Sequence, residues 1–371
     1  MRRAELPPDS LFDFAARENP RRPFLFLSRV LGKHLPVTAD TLDDLYARLA
    51  SRIPDLPEPV VFVGMAETAT ALGQGVFEDW LSAGPGRSAL YLQTTRYRVR
   101  ETSSIGFEET HSHAPRLFLH VPSDDTLRKV FLEARSFVYV DDEVTTGKTC
   151  ANLIDACRQL CPRIESLHIC TITDLRDPAS REALEARSDV HTSVGALLQG
   201  ECLFIPHGVA LESKGLAQSV VSHEIPLATG GFGRIGRKAR YNPPPRFVSS
   251  LARTMRPDDR ILVLGTGEFM HPAFRLAREL RREYGHDVRM HATTRSPIQV
   301  WGPIREAMRF EDNYGEGVPN YLYNCRPGNY DQILICHETA PTPVLKRLAR
   351  TLGARLLYFR SEHDIEENPV R

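Results

Sequence analysis

The stretch Phe137-Val-Tyr-Val140-Asp141-Asp142-Glu143-Val144-Thr145-Thr146-Gly147-Lys148-Thr149 runs from an apolar strand into two carboxylates, a loop of small hydroxyl residues and then a helix. In an open α/β sheet, ligands bind beyond the carboxyl ends of the strands. A loop entering a helix presents unpaired backbone N–H groups and the positive end of the helix dipole, which suits a phosphate. Thr145, Thr146 and Thr149 add hydroxyl donors, and Gly147 adopts backbone angles that other residues resist. The adjacent acids can accept hydrogen bonds from a vicinal diol. One site can therefore hold a sugar by its hydroxyls and by its terminal phosphate. Two other readings compete. Gly147-Lys148-Thr149 ends a Walker-like string, but Asp142 stands where that motif needs its first glycine. A bare strand-to-helix turn with threonine caps and no ligand is the other.

Outward from this stretch, strand patterns alternate with helical ones. Strands are expected at Val60–Val63, Ser88–Leu92, Phe137–Val140 and Leu167–Ile172, with helices over Ala66–Leu81 and Gly147–Leu160. The second half repeats the style, with strands at Ile261–Leu264 and Gln332–Cys336 and helices near Ala273–Tyr284 and Val344–Leu352. Such alternation predicts βαβ units and mostly parallel sheets flanked by helices, so both halves read as α/β. The Gly-, Arg- and Pro-rich run at 230–245 marks a boundary, because three consecutive prolines fit neither a helix nor a central strand. The expected organisation is a domain over 1–229, a linker over 230–245 and a smaller domain over 246–371.

Further residues gather at strand ends. Val60–Val63 runs into Gly64-Met65-Ala66-Glu67, where small residues bring backbone N–H groups near a ligand or simply start a helix. After Ser88–Leu92 come Thr94-Thr95-Arg96 and a polar stretch to about Pro115, read as a long loop carrying His111 and His113. Lys33 and His34 follow an apolar run and either contact an acidic ligand or end a strand.

The acidic pair and threonine loop resemble the signature of type I phosphoribosyltransferases. The N-terminal run Arg22–Val37 and Thr294-Arg295-Ser296-Pro297 resemble an orotate-phosphoribosyltransferase-like bacterial branch with a C-terminal TRSP domain, associated with tellurite-resistance-type operons. The resemblance implies an enzyme of the pentosyltransferase class. It would use Mg²⁺ and phosphoribosyl pyrophosphate (PRPP) to build a nucleotide-like product on a nitrogenous base-like acceptor, with release of pyrophosphate. Asp141, Asp142 and Glu143 with Thr145–Thr149 would hold the ribose and the 5-phosphate. Gly64, Met65, Ala66, Glu67 and Arg96 would hold pyrophosphate, and Arg96, His111 and His113 would join the acidic pair in catalysis under a lid spanning 97–115. Lys33 and His34 are candidates for the base or diphosphate. Mg²⁺ would be held mainly through PRPP and water, without a direct cluster of protein ligands. A non-catalytic PRPP or nucleotide sensor is the alternative.

The second half echoes the first. Gly265-Thr-Gly267-Glu268 matches Gly64–Glu67, Thr293-Thr294-Arg295 matches Thr94–Arg96, and Cys336-His337-Glu338 matches Asp141–Glu143. This suggests a diverged copy of the same sheet, with a candidate site at Gly265, Gly267, Glu268, Thr294, Arg295, Ser296, His337 and Glu338. Prolines at Pro341 and Pro343 remove donors that a phosphate would need. The basic run Arg234, Arg237, Lys238, Arg240 reads as a solvated face or as a contact to a product phosphate or RNA, and Gly231-Phe-Gly233-Arg-Ile-Gly236 lacks the strand and helix of a dinucleotide fingerprint.

Composition sets the outer limits. The 371 residues carry 47 basic and 47 acidic side chains, which excludes nucleic-acid binding by bulk charge. No apolar run reaches membrane-spanning length and no signal peptide is read, so a cytoplasmic protein is expected, with a homodimer as a candidate assembly. Seven irregularly spaced cysteines suggest ordinary thiols in a reducing compartment.

Overall fold

A computed structural model describes residues 6–17, 24–109, 116–187, 190–202, 224–225 and 231–369. Its first sheet has five parallel strands. From edge to edge they run His191–Gln199, Ser166–Asp174, Ser136–Val144, Val60–Gly64 and Ala89–Gln93. The central three are apolar over most of their length because helices cover both faces, as parallel sheets require. All five strands point the same way, so Gly64, Gln93 and Val144 end on one rim.

The second sheet has six strands, in the order Ile365–Asn368, Arg355–Phe359, Gln332–His337, Arg260–Gly265, Asp287–Ala292 and Val37–Thr38. Its four inner strands are parallel, and the two edges are antiparallel. These inner strands repeat the order of the four corresponding strands of the first sheet. The helices Thr70–Ala83 and His271–Tyr284 follow equivalent strands and pack against each other. Two hairpins also correspond. Ser104–Glu108 pairs with Arg116–His120, and Ala307–Glu311 pairs with Pro319–Tyr323. Each hairpin is tied to its sheet by one bridge, Thr95 to Phe118 and Thr294 to Tyr321.

Several expected elements differ in extent. The helix expected from Ala66 starts at Thr70, because residues 66–69 form a tight turn. Of the polar stretch read as a loop from 97 to 115, the described part, 97–109, holds two short strands, Arg98–Val99 and Ser104–Glu108. Leu117, Phe118 and Leu119 are buried, so burial and not polarity decides its structure. Residues 231–241, expected within the linker, are wedged against both sheets. Phe232, Arg234 and Tyr241 are buried, and Tyr91 pairs with Arg237 through two backbone hydrogen bonds of 2.8 and 2.9 Å. The N-terminal hairpin, Phe12–Ala16 with Phe24–Ser28, packs on the second half through Ala15, Leu27, Ile298, Ile304 and Tyr323. Among the described residues, no helix is long and apolar enough to cross a membrane.

Candidate active site

The strand Ser136–Val144 lies in the middle of its sheet and carries Asp141 and Asp142 to the rim. The Tyr139 hydroxyl donates to Asp141 Oδ2 at 2.7 Å, and the Asp142 amide donates to Asp141 Oδ1 at 3.0 Å. Burial, together with the neighbouring Asp142 charge, pushes the Asp141 carboxyl well above the usual carboxylate range. The chain then turns through Gly147, at φ +74°, and enters the helix Lys148–Arg158. Gly147 has no side chain to cap that helix, and the Thr146 hydroxyl accepts the Lys148 amide at 3.4 Å. Arg176 braces the turn from behind. It grips Asp174 with two hydrogen bonds of 2.8 and 2.9 Å, and its stem would lie 3.4 Å from a side chain placed on Gly147. Thr145, Thr146 and Thr149 are partly exposed on the same loop and Lys148 is exposed.

The Gly64–Glu67 loop lies beside this rim, since Met65 donates to Val140 O at 3.0 Å. Ala66 donates to the Thr94 hydroxyl at 2.8 Å. Two amides expected to face a ligand are thus used within the protein. Among the described residues, those of Glu67 and Thr68 donate to no protein acceptor. The Ala66–Glu67 peptide is cis. Gly64 and Gly73 let the following helix close on the strand, for a side chain on Gly73 would meet Gly64 Cα at 2.6 Å.

Glu67 is buried and turned toward the second half. Its carboxylate pairs with Lys33 Nζ at 2.6 Å and accepts the Arg295 amide at 3.4 Å. Burial would raise its pKa, but the charges of Lys33 and Arg295 prevail and hold it at about 2. Lys33 also donates to Gly267 O at 2.7 Å, and burial lowers its pKa. His34 is apart from the rim, with its ring 6.4 Å from that of Tyr323. Burial and the Lys33 charge hold it at about 3. Arg96 pairs with Glu109 at 2.9 Å, while its amide donates to Glu268 at 2.9 Å. His111 and His113 lie outside the described residues.

The second-half candidates meet the first half at this boundary. Gly267 donates to the Thr293 hydroxyl at 2.8 Å, the counterpart of the Ala66–Thr94 bond. Gly265 leaves no room for a side chain, because a Cβ would meet Phe269 O at 2.5 Å. Glu338 receives two hydrogen bonds from Arg234, at 2.5 and 2.6 Å, and one from Tyr314 at 2.6 Å. Glu268 takes a third bond from the same guanidinium at 3.1 Å. Arg295 bonds Glu316 at 2.6 Å and the Tyr97 hydroxyl. Ser296 donates its amide to the Thr294 hydroxyl at 3.2 Å. His337 bonds Thr339 O at 2.8 Å and stacks on Tyr358; burial holds it at about 4.

Arg234 is thus the buried centre of the cluster, and the three arginines of the basic run are paired while Lys238 is exposed. Arg237 pairs with Glu362, and Arg240 with Asp79 at 3.1 Å. Tyr97 and Tyr314 were also not anticipated. They stack across the boundary with ring centroids 4.4 Å apart.

Residues 11–201, more than half of the chain, match a family described as phosphoribosyl transferase. Residues 230–352 match the TRSP domain found C-terminal to that transferase. No curated protein matches the chain. Among solved structures it is similar to the adenine phosphoribosyltransferase of Rhodothermus marinus, at 14% identity over 52% of this chain and 95% of that one, with a TM-score of 0.33. The Trypanosoma brucei enzyme, solved with AMP, pyrophosphate and ribose-5-phosphate, shares 10% identity over 59% and 92%, with a TM-score of 0.37. The Leishmania donovani enzyme shares 14% identity over 55% and 86%, with a TM-score of 0.34. The chain belongs to the phosphoribosyl transferase family, as an enzyme whose transferase half is followed by a TRSP domain.

Proposed function

We propose that the chain transfers the phosphoribosyl group of Mg²⁺-PRPP to a nitrogenous base-like acceptor, with release of pyrophosphate. The observation that carries this reading is the acidic pair Asp141–Asp142 set just before a threonine loop and a helix start reached through left-handed Gly147. The carboxylates accept the ribose hydroxyls, and Thr145–Thr149 with the helix amides take the 5-phosphate. At the other end, the amides of Glu67 and Thr68 and the Arg96 guanidinium face pyrophosphate, with Arg96 leaving Glu109 as the ligand enters. The acceptor nitrogen forms a bond to ribose C1 while the C1–O bond to pyrophosphate breaks and its electron pair departs with the leaving group. Positioning and charge stabilisation are the protein's share of the work.

Among the described residues, no group of three or more histidine, cysteine or acidic side chains is arranged to hold a metal ion. The hard carboxylate oxygens of Asp141 and Asp142 nonetheless suit Mg²⁺, which keeps several waters and binds through few protein ligands. Mg²⁺ supplies charge neutralisation on the diphosphate. Calorimetric titration with Mg²⁺-PRPP tests the site, and pyrophosphate release across a panel of bases tests the reaction. Binding by the wild type and strong weakening in Asp142→Asn are expected. A wild type that does not bind Mg²⁺-PRPP would refute the reading.

A further inference from the structure

Glu268 belongs to the second half, yet its carboxylate serves the first. One oxygen accepts the Arg96 amide at 2.9 Å, and the other accepts the Thr95 hydroxyl at 2.5 Å. Thr95 in turn accepts the Tyr97 amide at 3.2 Å, so a single carboxylate fixes three consecutive residues of the turn. Glu268 is buried, and water does not compete for these bonds. The arrangement is reciprocal, because Glu67 of the first half accepts the Arg295 amide. Each half's Gly-x-x-Glu loop thus reaches the Thr-Thr-Arg turn of the other.

The strand ends beside this exchange carry different groups in the two halves. In the second half, Tyr314 reaches Glu338, Asn313 reaches the Thr339 hydroxyl at 3.0 Å and Glu316 pairs with Arg295. The turn of the second hairpin therefore lies over the end of the strand Gln332–His337 and ties its polar groups to the chain itself. In the first half, the corresponding strand carries Asp141 and Asp142 near its end.

We propose that Glu268 is a positioning residue for the transferase site, setting the backbone from which Arg96 reaches pyrophosphate. This rests on the reading of Arg96 as a pyrophosphate contact. Removing Glu268 need not orphan Arg234, which keeps both of its bonds to Glu338.

The test titrates magnesium pyrophosphate and, separately, ribose 5-phosphate into the full chain. Wild type should bind both. Glu268→Ala should lose about tenfold in pyrophosphate affinity, the scale of one lost buried hydrogen bond to a charged group, with ribose 5-phosphate affinity unchanged. Glu268→Gln should recover most of the loss, since its carbonyl still accepts the Arg96 amide. Adding Glu268→Ala to Arg96→Ala should cost nothing further for pyrophosphate. Tyr314→Phe removes a bond from the same buried cluster without touching Arg96, and it should leave both affinities unchanged. Thr95→Val reads the same contact if Glu268→Ala does not fold. Equal loss of both ligands, or an equal loss in Tyr314→Phe, would overturn the proposal. A wild type that binds neither ligand would instead strike the functional reading on which it rests.

Discussion

Two adjacent carboxylates at a strand end repel each other, and Asp141 is held among buried groups beside Asp142. Burial and Asp142 raise its pKa, while the hydrogen bond from Tyr139 acts in the opposite sense. A ribose diol donates hydrogen bonds, so it binds the ionised pair. PRPP affinity should therefore fall as pH drops through the raised Asp141 value. Asp142→Asn removes the neighbouring charge and lowers that value. The variant should bind PRPP more weakly at neutral pH, yet lose its remaining affinity at a lower pH than wild type. Calorimetry across pH 5 to 9 would check this, and an unmoved midpoint would show that the two acids are not coupled.

At the scale of elements, the site depends on how closely one helix approaches one strand. Gly73 on the helix faces Gly64 on the strand, and a side chain at Gly73 would also meet Tyr91 Cε2 at 3.1 Å. Gly73→Ala should destabilise the protein by about 1–3 kcal/mol through overpacking. Because the helix leads directly out of the Gly64–Glu67 loop, the same variant should weaken pyrophosphate binding more than ribose 5-phosphate binding. Denaturant titration and calorimetry report the two effects separately. Strand ends of this kind are legible in sequence, because a β-branched run followed by Gly or Asp-Asp is a local pattern. The hairpin after Arg96 is harder to read. Arg116-Leu-Phe-Leu-His120 is a short apolar run, and only its bridge to Thr95 and its pairing with Ser104–Glu108, which packs on the helix Lys148–Arg158, separate it from a loop. The equivalent hairpin in the second half offered a clue, since Ala307–Glu311 and Pro319–Tyr323 stand at matching places. The partners of Lys33 and Arg234 were not legible. Their acids lie far away in sequence, and a basic residue in a glycine- and proline-rich run looks the same whether solvated or buried.

At the scale of the whole molecule, the two halves are joined by buried charge. Arg234 sits between Glu268 and Glu338, Lys33 joins Glu67 to Gly267, and Glu78 of one helix pairs with His271 of its counterpart at 2.9 Å. Breaking such a pair leaves an uncompensated charge in a dry site. Arg234→Met should therefore cost about 3–5 kcal/mol at neutral pH, measured by denaturant unfolding. The pH dependence separates this effect from general weakening. Burial holds His34 at about 3, with Lys33 adding to the effect, and holds His120, His168 and His337 at about 4, against an ordinary 6.5. Below pH 6.5 the unfolded chain takes up these protons and the folded chain does not. Wild-type stability should thus fall between pH 6.5 and 4, by up to about 1.4 kcal/mol per pH unit for each histidine. Arg234→Met leaves His34, His168 and His337 as they are, so their slope cancels in the difference, but His120 loses the Arg234 charge that helps burial depress it and so costs the variant less as pH falls. The gap between variant and wild type should narrow as pH falls from 6.5 toward 4, even while both become less stable. A gap that stays constant would mean that Arg234 supports the boundary by packing alone.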